Sequence, residues 1–66
     1  MNIVLNGKTT TLDERATVTD LLRSLGLTDK RVAVEINGEI VPRSQHASHP
    51  IAANDQIEVV VAVGGG

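Results

Sequence analysis

Three consecutive glycines, Gly64, Gly65 and Gly66, end the sequence directly after a run of β-type apolar residues. Glycine has no Cβ, so a carboxylate at Gly66 is sterically open, and a glycine tail fits a channel too narrow for side chains. Three residues reach at most about 10 Å beyond a fold. These residues therefore favour acyl chemistry at Gly66 inside the active site of another protein. A Gly-rich terminus without function is the alternative.

Other residues that could take part in catalysis or metal binding form weaker patterns. His46 and His49 lie three apart, but the chain has no Cys and no acid lies near them, so they offer only two metal ligands. Ser44 and Ser48 would need a buried acid to orient an imidazole before either could act as a nucleophile. Ordinary loop polarity is the favoured interpretation, and we expect no catalytic residue, no metal and no bound cofactor.

Length and composition narrow the class of protein. The chain has 66 residues, no Cys and no aromatic residue, and six Lys and Arg against eight Asp and Glu give a net charge of −2. One small domain of this length has no room for a deep catalytic cleft. The basic residues are scattered along the sequence and stacking platforms are absent, so nucleic-acid binding is not expected. No membrane span or signal peptide is predicted, and we expect a cytoplasmic protein that is a monomer by itself.

Two Asn-Gly pairs predict the turns that organise a sheet. Each pair separates two β-prone runs, namely residues 1–5 and 8–12 around Asn6-Gly7, and residues 32–36 and 39–41 around Asn37-Gly38. Asn-Gly in this setting is the strongest short-range sign of a two-residue hairpin. After Pro42 the sequence predicts a loop over 43–50 and a last strand over 56–63.

One helix is predicted between the hairpins. Thr17 offers a capping hydroxyl with Asp20 three residues later, and Arg23 would favour the dipole of the last turn. Apolar residues then recur at helical spacing, at Val18, Leu21, Leu22 and Leu25. Gly26 is expected to end the helix, and Leu27 is placed for the hydrophobic contact that follows a glycine C-cap.

These elements predict an α+β domain, whose order we summarise as ββαββ. A hairpin, a crossing helix and further strands favour a mixed sheet with the helix packed across one face, which is the β-grasp (ubiquitin-like) arrangement. We assign residues 1–63 to this domain and residues 64–66 to a flexible glycine tail.

Alternation along the strands assigns the two faces of the sheet. The residues expected to face Leu21, Leu22 and Leu25 are Ile3, Leu5, Val32, Val34, Ile36, Ile57, Val59 and Val61. The opposite parity mixes apolar residues with acids near the tail, so we predict a partner-docking surface formed by Val60, Ala62, Glu58 and Glu35. Ordinary exposure of small aliphatic residues and solubilising acids is the alternative.

Two segments and the end of the chain carry a family resemblance. They are VAVEINGEIVPR at residues 32–43, NDQIEVV at residues 54–60, and Gly65-Gly66 placed straight after the last strand. Together with the length and the opening Asn6-Gly7 hairpin, they resemble the ThiS family, the sulfur carriers of thiamine biosynthesis. The chain departs from the family pattern at Asn54, where Gly is frequent, and at His46, where an aromatic residue is frequent.

The resemblance implies a protein co-substrate, not an enzyme. A ThiF-type adenylyltransferase would use ATP to adenylate the Gly66 carboxylate, and a sulfur donor would convert it to a thiocarboxylate that serves a ThiG-type thiazole synthase. Gly65 and Gly66 are the carried-over positions, and Gly64 would add only flexibility. The alternatives are a MoaD-type sulfur carrier for molybdopterin, a ubiquitin-like protein modifier, and a non-covalent β-grasp binding module with an inert tail.

Overall fold

A computed structural model describes residues 1–62 of the chain, and residues 63–66 lie outside the described part. Its elements are β1 (Asn2–Leu5), β2 (Lys8–Thr11), α1 (Val18–Ser24), β3 (Val32–Ile36), β4 (Glu39–Ile40), a 3₁₀ helix (Arg43–Gln45) and β5 (Gln56–Val61). The order is ββαβββ, so the predicted summary ββαββ is wrong by one strand. The two predicted hairpins and the predicted last strand already amount to five strands. The predicted end of the domain at residue 63 and the predicted tail 64–66 are outside the described residues and stay predictions.

The five strands form one mixed sheet in the order β2-β1-β5-β3-β4. β5 is the central strand, parallel to β1 on one side and antiparallel to β3 on the other. With α1 packed against one face, this is the predicted α+β arrangement of the β-grasp type. Within residues 1–62, no helix has the length and apolar character needed to cross a membrane.

Both Asn-Gly pairs form the predicted tight turns. Asn6 and Gly7 have φ of 48° and 82°, and Asn37 and Gly38 have φ of 53° and 85°. Two successive residues with positive φ are typical of the type I′ turn, whose twist matches that of the flanking strands. The turns therefore fix the hairpin registers, in which Leu5 faces Lys8 in the first hairpin and Ile36 faces Glu39 in the second.

Helix α1 begins and ends at the predicted residues. Thr17 accepts the N–H of Asp20, and the Asp20 carboxylate accepts the N–H of Thr17 at 2.9 Å, which completes a capping box. At the other end Gly26 has φ of 71°, and the N–H groups of Gly26 and Leu27 donate to the carbonyls of Arg23 and Leu22. This pair of bonds is the Schellman motif that a C-terminal glycine favours.

The core lies between α1 and one face of the sheet. Its buried members are Ile3, Val18, Leu21, Leu22, Val34, Ile36, Val41, Ile51, Ile57 and Val59. The prediction that Leu25 and Val61 belong to the core is wrong, because these residues are 40% and 41% exposed. A seven-residue helix covers only about 10 Å, whereas the six residues of β5 extend about 20 Å, so the end of β5 extends past the helix. Val41 and Ile51 complete the core instead.

Residues 43–50, which the sequence predicts to be a loop, include the 3₁₀ helix and are hydrogen-bonded to the start of α1. The N–H groups of Val18 and Thr19 donate to the carbonyls of His49 and His46, at 3.1 and 3.0 Å. The His46 side chain is only 7% exposed, and its Nε2 lies 3.0 Å from the Val41 carbonyl oxygen. This segment therefore supplies acceptors for the first N–H groups of α1, which a helix otherwise leaves unsatisfied. The prediction that His46 is an ordinary polar residue of a loop is therefore wrong.

Candidate functional site

Gly64, Gly65 and Gly66, the residues predicted to carry the chemistry, lie outside the described residues. The structure does show how the chain is held immediately before them. The N–H of Ala62 donates to the carbonyl of Arg31 at 2.8 Å, and Val61 pairs with Val32 at the start of β3. The backbone is therefore anchored to the sheet as far as Ala62.

Asn6 anchors the middle of β5 through its side chain. The backbone of β1 turns away after Leu5, which pairs with Ile57. The Asn6 amide then takes the place of the missing strand, because its Oδ1 accepts the N–H of Val59 at 2.9 Å and its Nδ2 lies 3.3 Å from the Val59 carbonyl oxygen. β5 consequently keeps hydrogen-bond partners on both sides beyond the end of β1.

Asn37, in the second turn, anchors the start of β5 in a similar way. Its Oδ1 accepts the N–H of Gln56 at 3.0 Å, and its own N–H donates to the Gln56 carbonyl at 2.7 Å. Its Nδ2 donates to the carboxylate of Asp55 at 3.0 Å. Sequence reasoning assigned both Asn residues to turns alone. One feature of the sequence indicates the hydrogen bonds of these side chains to β5. Both turns have Asn at their first position, although Gly or Asp would also be compatible with the turn.

The four predicted docking residues lie together on the face of the sheet that α1 leaves open. Glu58 and Val60 alternate along β5 and Ala62 follows its end; all three are exposed, Val60 by 59%. Glu35 is half-buried on β3 directly opposite Glu58. Sequence reasoning missed Ile40, which pairs with Glu35 and is 70% exposed. The register of the Asn37-Gly38 hairpin predicts that position. We call these five residues the open-face patch.

Two carboxylates face each other within the open-face patch. Glu35 and Glu58 are directly paired across antiparallel strands, where like charges destabilise a sheet. Neither carboxylate forms an ion pair with a cation of residues 1–62. Both line a shallow groove of about 260 Å³. A Lys or Arg side chain from another protein would relieve the repulsion, so the electrostatics of this patch suit a basic partner.

The described residues offer no catalytic constellation of their own. Nowhere in residues 1–62 do three or more His, Cys, Asp or Glu residues lie together as metal ligands. A carbonyl can only accept, so Nε2 of His46 carries a proton that it donates to Val41. The hydroxyl of Ser48 donates to the carbonyl of Gln45. This arrangement can present a docking face and an anchored strand that leads to Gly66.

Comparisons with known proteins are consistent with that arrangement. The profile of the ThiS family matches residues 3–66. Sulfur carrier protein ThiS of Escherichia coli is 35% identical over the whole of both chains. A thiazole synthase of Paramagnetospirillum magneticum is 41% identical over 66 residues. The crystal structure of a thiamine biosynthesis protein (ThiS) from Geobacter metallireducens superposes with a TM-score of 0.83, at 36% identity and full coverage of both chains.

The relatives differ in how much of their length the chain matches. The chain covers all of the Escherichia coli protein but spans only about a fifth of the thiazole synthases that it matches. The match to the family profile nevertheless includes nearly every residue, from the first strand to the glycines. The chain belongs to the ThiS family.

Proposed function

We propose that the chain is a sulfur carrier for thiamine biosynthesis. In this proposal the Gly66 carboxylate is adenylated and converted to a thiocarboxylate, which donates its sulfur to the thiazole moiety of thiamine. The observation that carries the proposal is the ThiS-family match over residues 3–66, which includes the glycine end. The position of those glycines after the central strand of the sheet supports it.

The proposed chemistry needs an accessible acyl carbon and a partner that activates it. A carboxylate oxygen of Gly66 attacks the α-phosphorus of ATP, and pyrophosphate leaves. Sulfide, as HS⁻, then adds to the acyl carbon of the adenylate, AMP leaves, and loss of the proton gives the thiocarboxylate. A ThiF-type adenylyltransferase binds ATP, contacts the sulfur donor and supplies the catalysis. The chain itself is a co-substrate and needs no cofactor of its own.

The geometry of β5 supports delivery of Gly66 to such a partner. Ala62 is hydrogen-bonded to Arg31, and four residues follow it in the sequence. Four residues span at most about 13 Å, so a partner must contact the folded domain closely to receive Gly66 in its active site. Val60 and Ala62 of the open-face patch lie nearest to the start of that segment. We assign the open-face patch as the surface that docks on the adenylyltransferase.

A ThiG-type thiazole synthase is the proposed recipient of the sulfur. Two of the relatives are named thiazole synthase, and each contains a segment similar to this entire chain within a longer protein. A carrier segment in the same polypeptide as a thiazole synthase is consistent with sulfur transfer between the two activities. The pairing of this chain with such an enzyme belongs to the proposal.

Intact-mass spectrometry tests the proposal directly. The chain is incubated with ATP, sodium sulfide and a ThiF-type enzyme, and its mass is measured before and after. We expect a mass change equal to the replacement of one oxygen by sulfur, and fragmentation should locate the change at Gly66. A chain that lacks Gly66 is the matched control and should show no change.

That experiment and two further measurements, of the pathway that the thiocarboxylate supplies and of conjugates in lysate, separate the alternatives. A thiocarboxylate that supplies molybdopterin synthesis but not thiazole synthesis would favour a MoaD-type carrier. Conjugates of higher mass, in which the chain is joined to lysines of other proteins, would favour a ubiquitin-like modifier. No mass change and no stimulated ATP turnover would favour a non-covalent binding module whose tail is inert.

A further inference from the structure

A pocket with basic side chains at its rim lies on the helix side of the sheet. Its volume is about 360 Å³. We call it the basic pocket and define it by its apolar floor and its cations, which are Leu22, Leu27, Val32, Lys30, Arg31 and Arg43. This pocket lies on the opposite side of the sheet from the open-face patch.

Folding brings together cations that are separated in the sequence. Lys30 and Arg31 lie in the connection between α1 and β3, whereas Arg43 begins the 3₁₀ helix that follows β4. The bonds of His46 to Val41 and to the N–H of Thr19 hold that 3₁₀ helix beside α1. Three of the six basic residues of the chain therefore converge on one pocket, although the sequence shows no basic cluster.

The positive charge of the basic pocket is not neutralised within the described part of the chain. No Asp or Glu lines the pocket, including Asp29, which is adjacent to Lys30 in the sequence. None of its three cations forms an ion pair with a carboxylate of residues 1–62, whereas Arg23 pairs with Asp20 at 3.5 Å. The whole chain has a net charge of −2, so composition does not account for a local excess of positive charge.

We propose that the basic pocket binds an acidic segment of a partner protein. One apolar side chain of that segment sits on Leu22, Leu27 and Val32, and flanking carboxylates pair with the cations at the rim. Cations around an apolar floor match a segment in which acids flank an apolar anchor. A small free anion would contact the rim but would leave the apolar floor in water.

The basic pocket lies next to the end of β5, so a partner bound in it would be close to the residues that precede the glycines. Val32 pairs with Val61, and the Arg31 carbonyl accepts the N–H of Ala62. The pocket therefore borders the end of β5 from the side opposite to the open-face patch. A partner bound there approaches the last described residue without covering the open face. This inference does not depend on the chemistry at Gly66.

A titration followed by ¹⁵N–¹H NMR tests the proposal on the full chain. The probe is an acetylated and amidated peptide of the sequence Glu-Asp-Leu-Asp-Glu. We expect saturable shifts confined to the amides of residues 27–32 and 43–46, with an affinity that falls as salt is added. Replacement of the peptide Leu by Ala, or of its acids by Asn and Gln, should weaken binding severalfold.

Two triple variants give the matched comparison, because the six basic residues divide equally between the basic pocket and the rest of the surface. The pocket variant is K30Q/R31Q/R43Q and the control is K8Q/R15Q/R23Q, and all six residues are exposed. Each variant removes three positive charges. We expect about a tenfold loss of peptide affinity in the pocket variant, from the sum of three exposed charge pairs, and at most about a twofold loss in the control.

Several results would overturn the proposal. Equal weakening by both triple variants would mean that the peptide responds only to overall charge. Absence of saturable shifts at the basic pocket with millimolar peptide would exclude the site. Inorganic phosphate that produces the same shift map with comparable affinity would identify a small-anion site instead. The NMR spectrum of each variant without peptide verifies that it is folded.

Discussion

Asn6 belongs at the same time to a turn and to the sheet. Its backbone has φ of 48°, and its side-chain amide forms two hydrogen bonds with Val59 across 53 positions of sequence. Asn54 also has positive φ, at 69°, but no hydrogen bond of its side chain is formed within residues 1–62. The two Asn residues therefore share a backbone conformation and differ in the contacts of the side chain.

That difference predicts the effect of replacing each Asn by Gly, which keeps positive φ accessible. Asn6→Gly should lower the free energy of unfolding by about 1–2 kcal/mol, because the N–H and C=O of Val59 lose a partner. Asn54→Gly should change it by less than about 0.5 kcal/mol. Urea denaturation measures both values. Equal losses would show that the conformation of the turn, and not the Asn6 amide, stabilises β5.

At Gly66 the proposed chemistry predicts a kinetic effect without a stability effect. Gly66→Ala places a methyl group beside the reacting carbonyl, so adenylation should slow roughly tenfold to a hundredfold while the melting temperature stays constant. Gly64→Ala, outside the diglycine, should have a smaller effect. Pyrophosphate release with a ThiF-type enzyme measures both rates. Unchanged kinetics for Gly66→Ala would contradict the steric explanation.

At the scale of elements, the sequence predicts what local chemistry determines. The Asn-Gly turns, the Thr17 cap and the Gly26 stop depend on neighbouring residues, and the structure confirms each of them. Alternation also places Glu58 and Val60 on the open face. The burial of His46 and the bonds from Asn6 to β5 depend on residues far apart in sequence, so patterns of neighbouring residues cannot predict them.

The capping box of α1 predicts a pH dependence. Hydrogen bonds from the backbone and side chain of Thr17 lower the pKa of Asp20 below its ordinary value of 3.8. A carboxylate with a lower pKa in the folded state stabilises the fold above the unfolded pKa, and that contribution disappears as pH falls through the folded pKa. Asp20→Asn should therefore lower the melting temperature at about pH 6, and the difference from wild type should close below pH 3.8.

A control for that experiment is Glu14→Gln, which changes the charge of an exposed residue outside the capping box. Its melting curve should follow that of the wild type throughout the pH range. A difference for Asp20→Asn that stays constant down to the lowest pH would mean that the carboxylate charge does not contribute to the cap.

Strand β5 carries the docking prediction for the open-face patch. Val60→Glu should raise the KM for the chain in adenylation at least about tenfold, yet it should cost less than about 0.5 kcal/mol of stability because Val60 is 59% exposed. Thr9→Glu adds the same charge on β2, at an exposed position of the same face far from the tail. It should leave KM nearly unchanged. A similar KM for both variants would contradict docking at the end of β5.

At the scale of the whole molecule, an acidic pair and a basic pocket lie on opposite sides of the sheet. The open-face patch has the acids Glu35 and Glu58, which form no ion pair within residues 1–62, whereas the basic pocket on the helix side has three cations. The net charge of −2 conceals this separation, and the sequence shows the same residues intermingled. The topology of the sheet separates them, so the charge pattern becomes evident only after folding.

The repulsion between Glu35 and Glu58 predicts that removal of one of these charges raises stability but weakens partner binding. Glu58→Gln removes one of two facing carboxylates, so the free energy of unfolding should rise by up to about 1 kcal/mol. The same change should weaken binding to a basic partner, which surface plasmon resonance with a ThiF-type enzyme measures. Glu39→Gln, in register with the core residue Ile36, is the control and should change neither. Loss of stability in Glu58→Gln would refute the proposed repulsion.

The parallel pairing of β1 with β5 also determines how the domain responds to mechanical force. A pull between residue 1 and the tail moves these two neighbouring strands in opposite directions along their lengths. The bonds from Val4 to Asp55 and from Asn6 to Ile57, both 2.9 Å long, then carry the load together in shear and cannot be peeled apart one at a time. Force applied between residue 1 and the tail must therefore break these bonds together before β5 separates from β1.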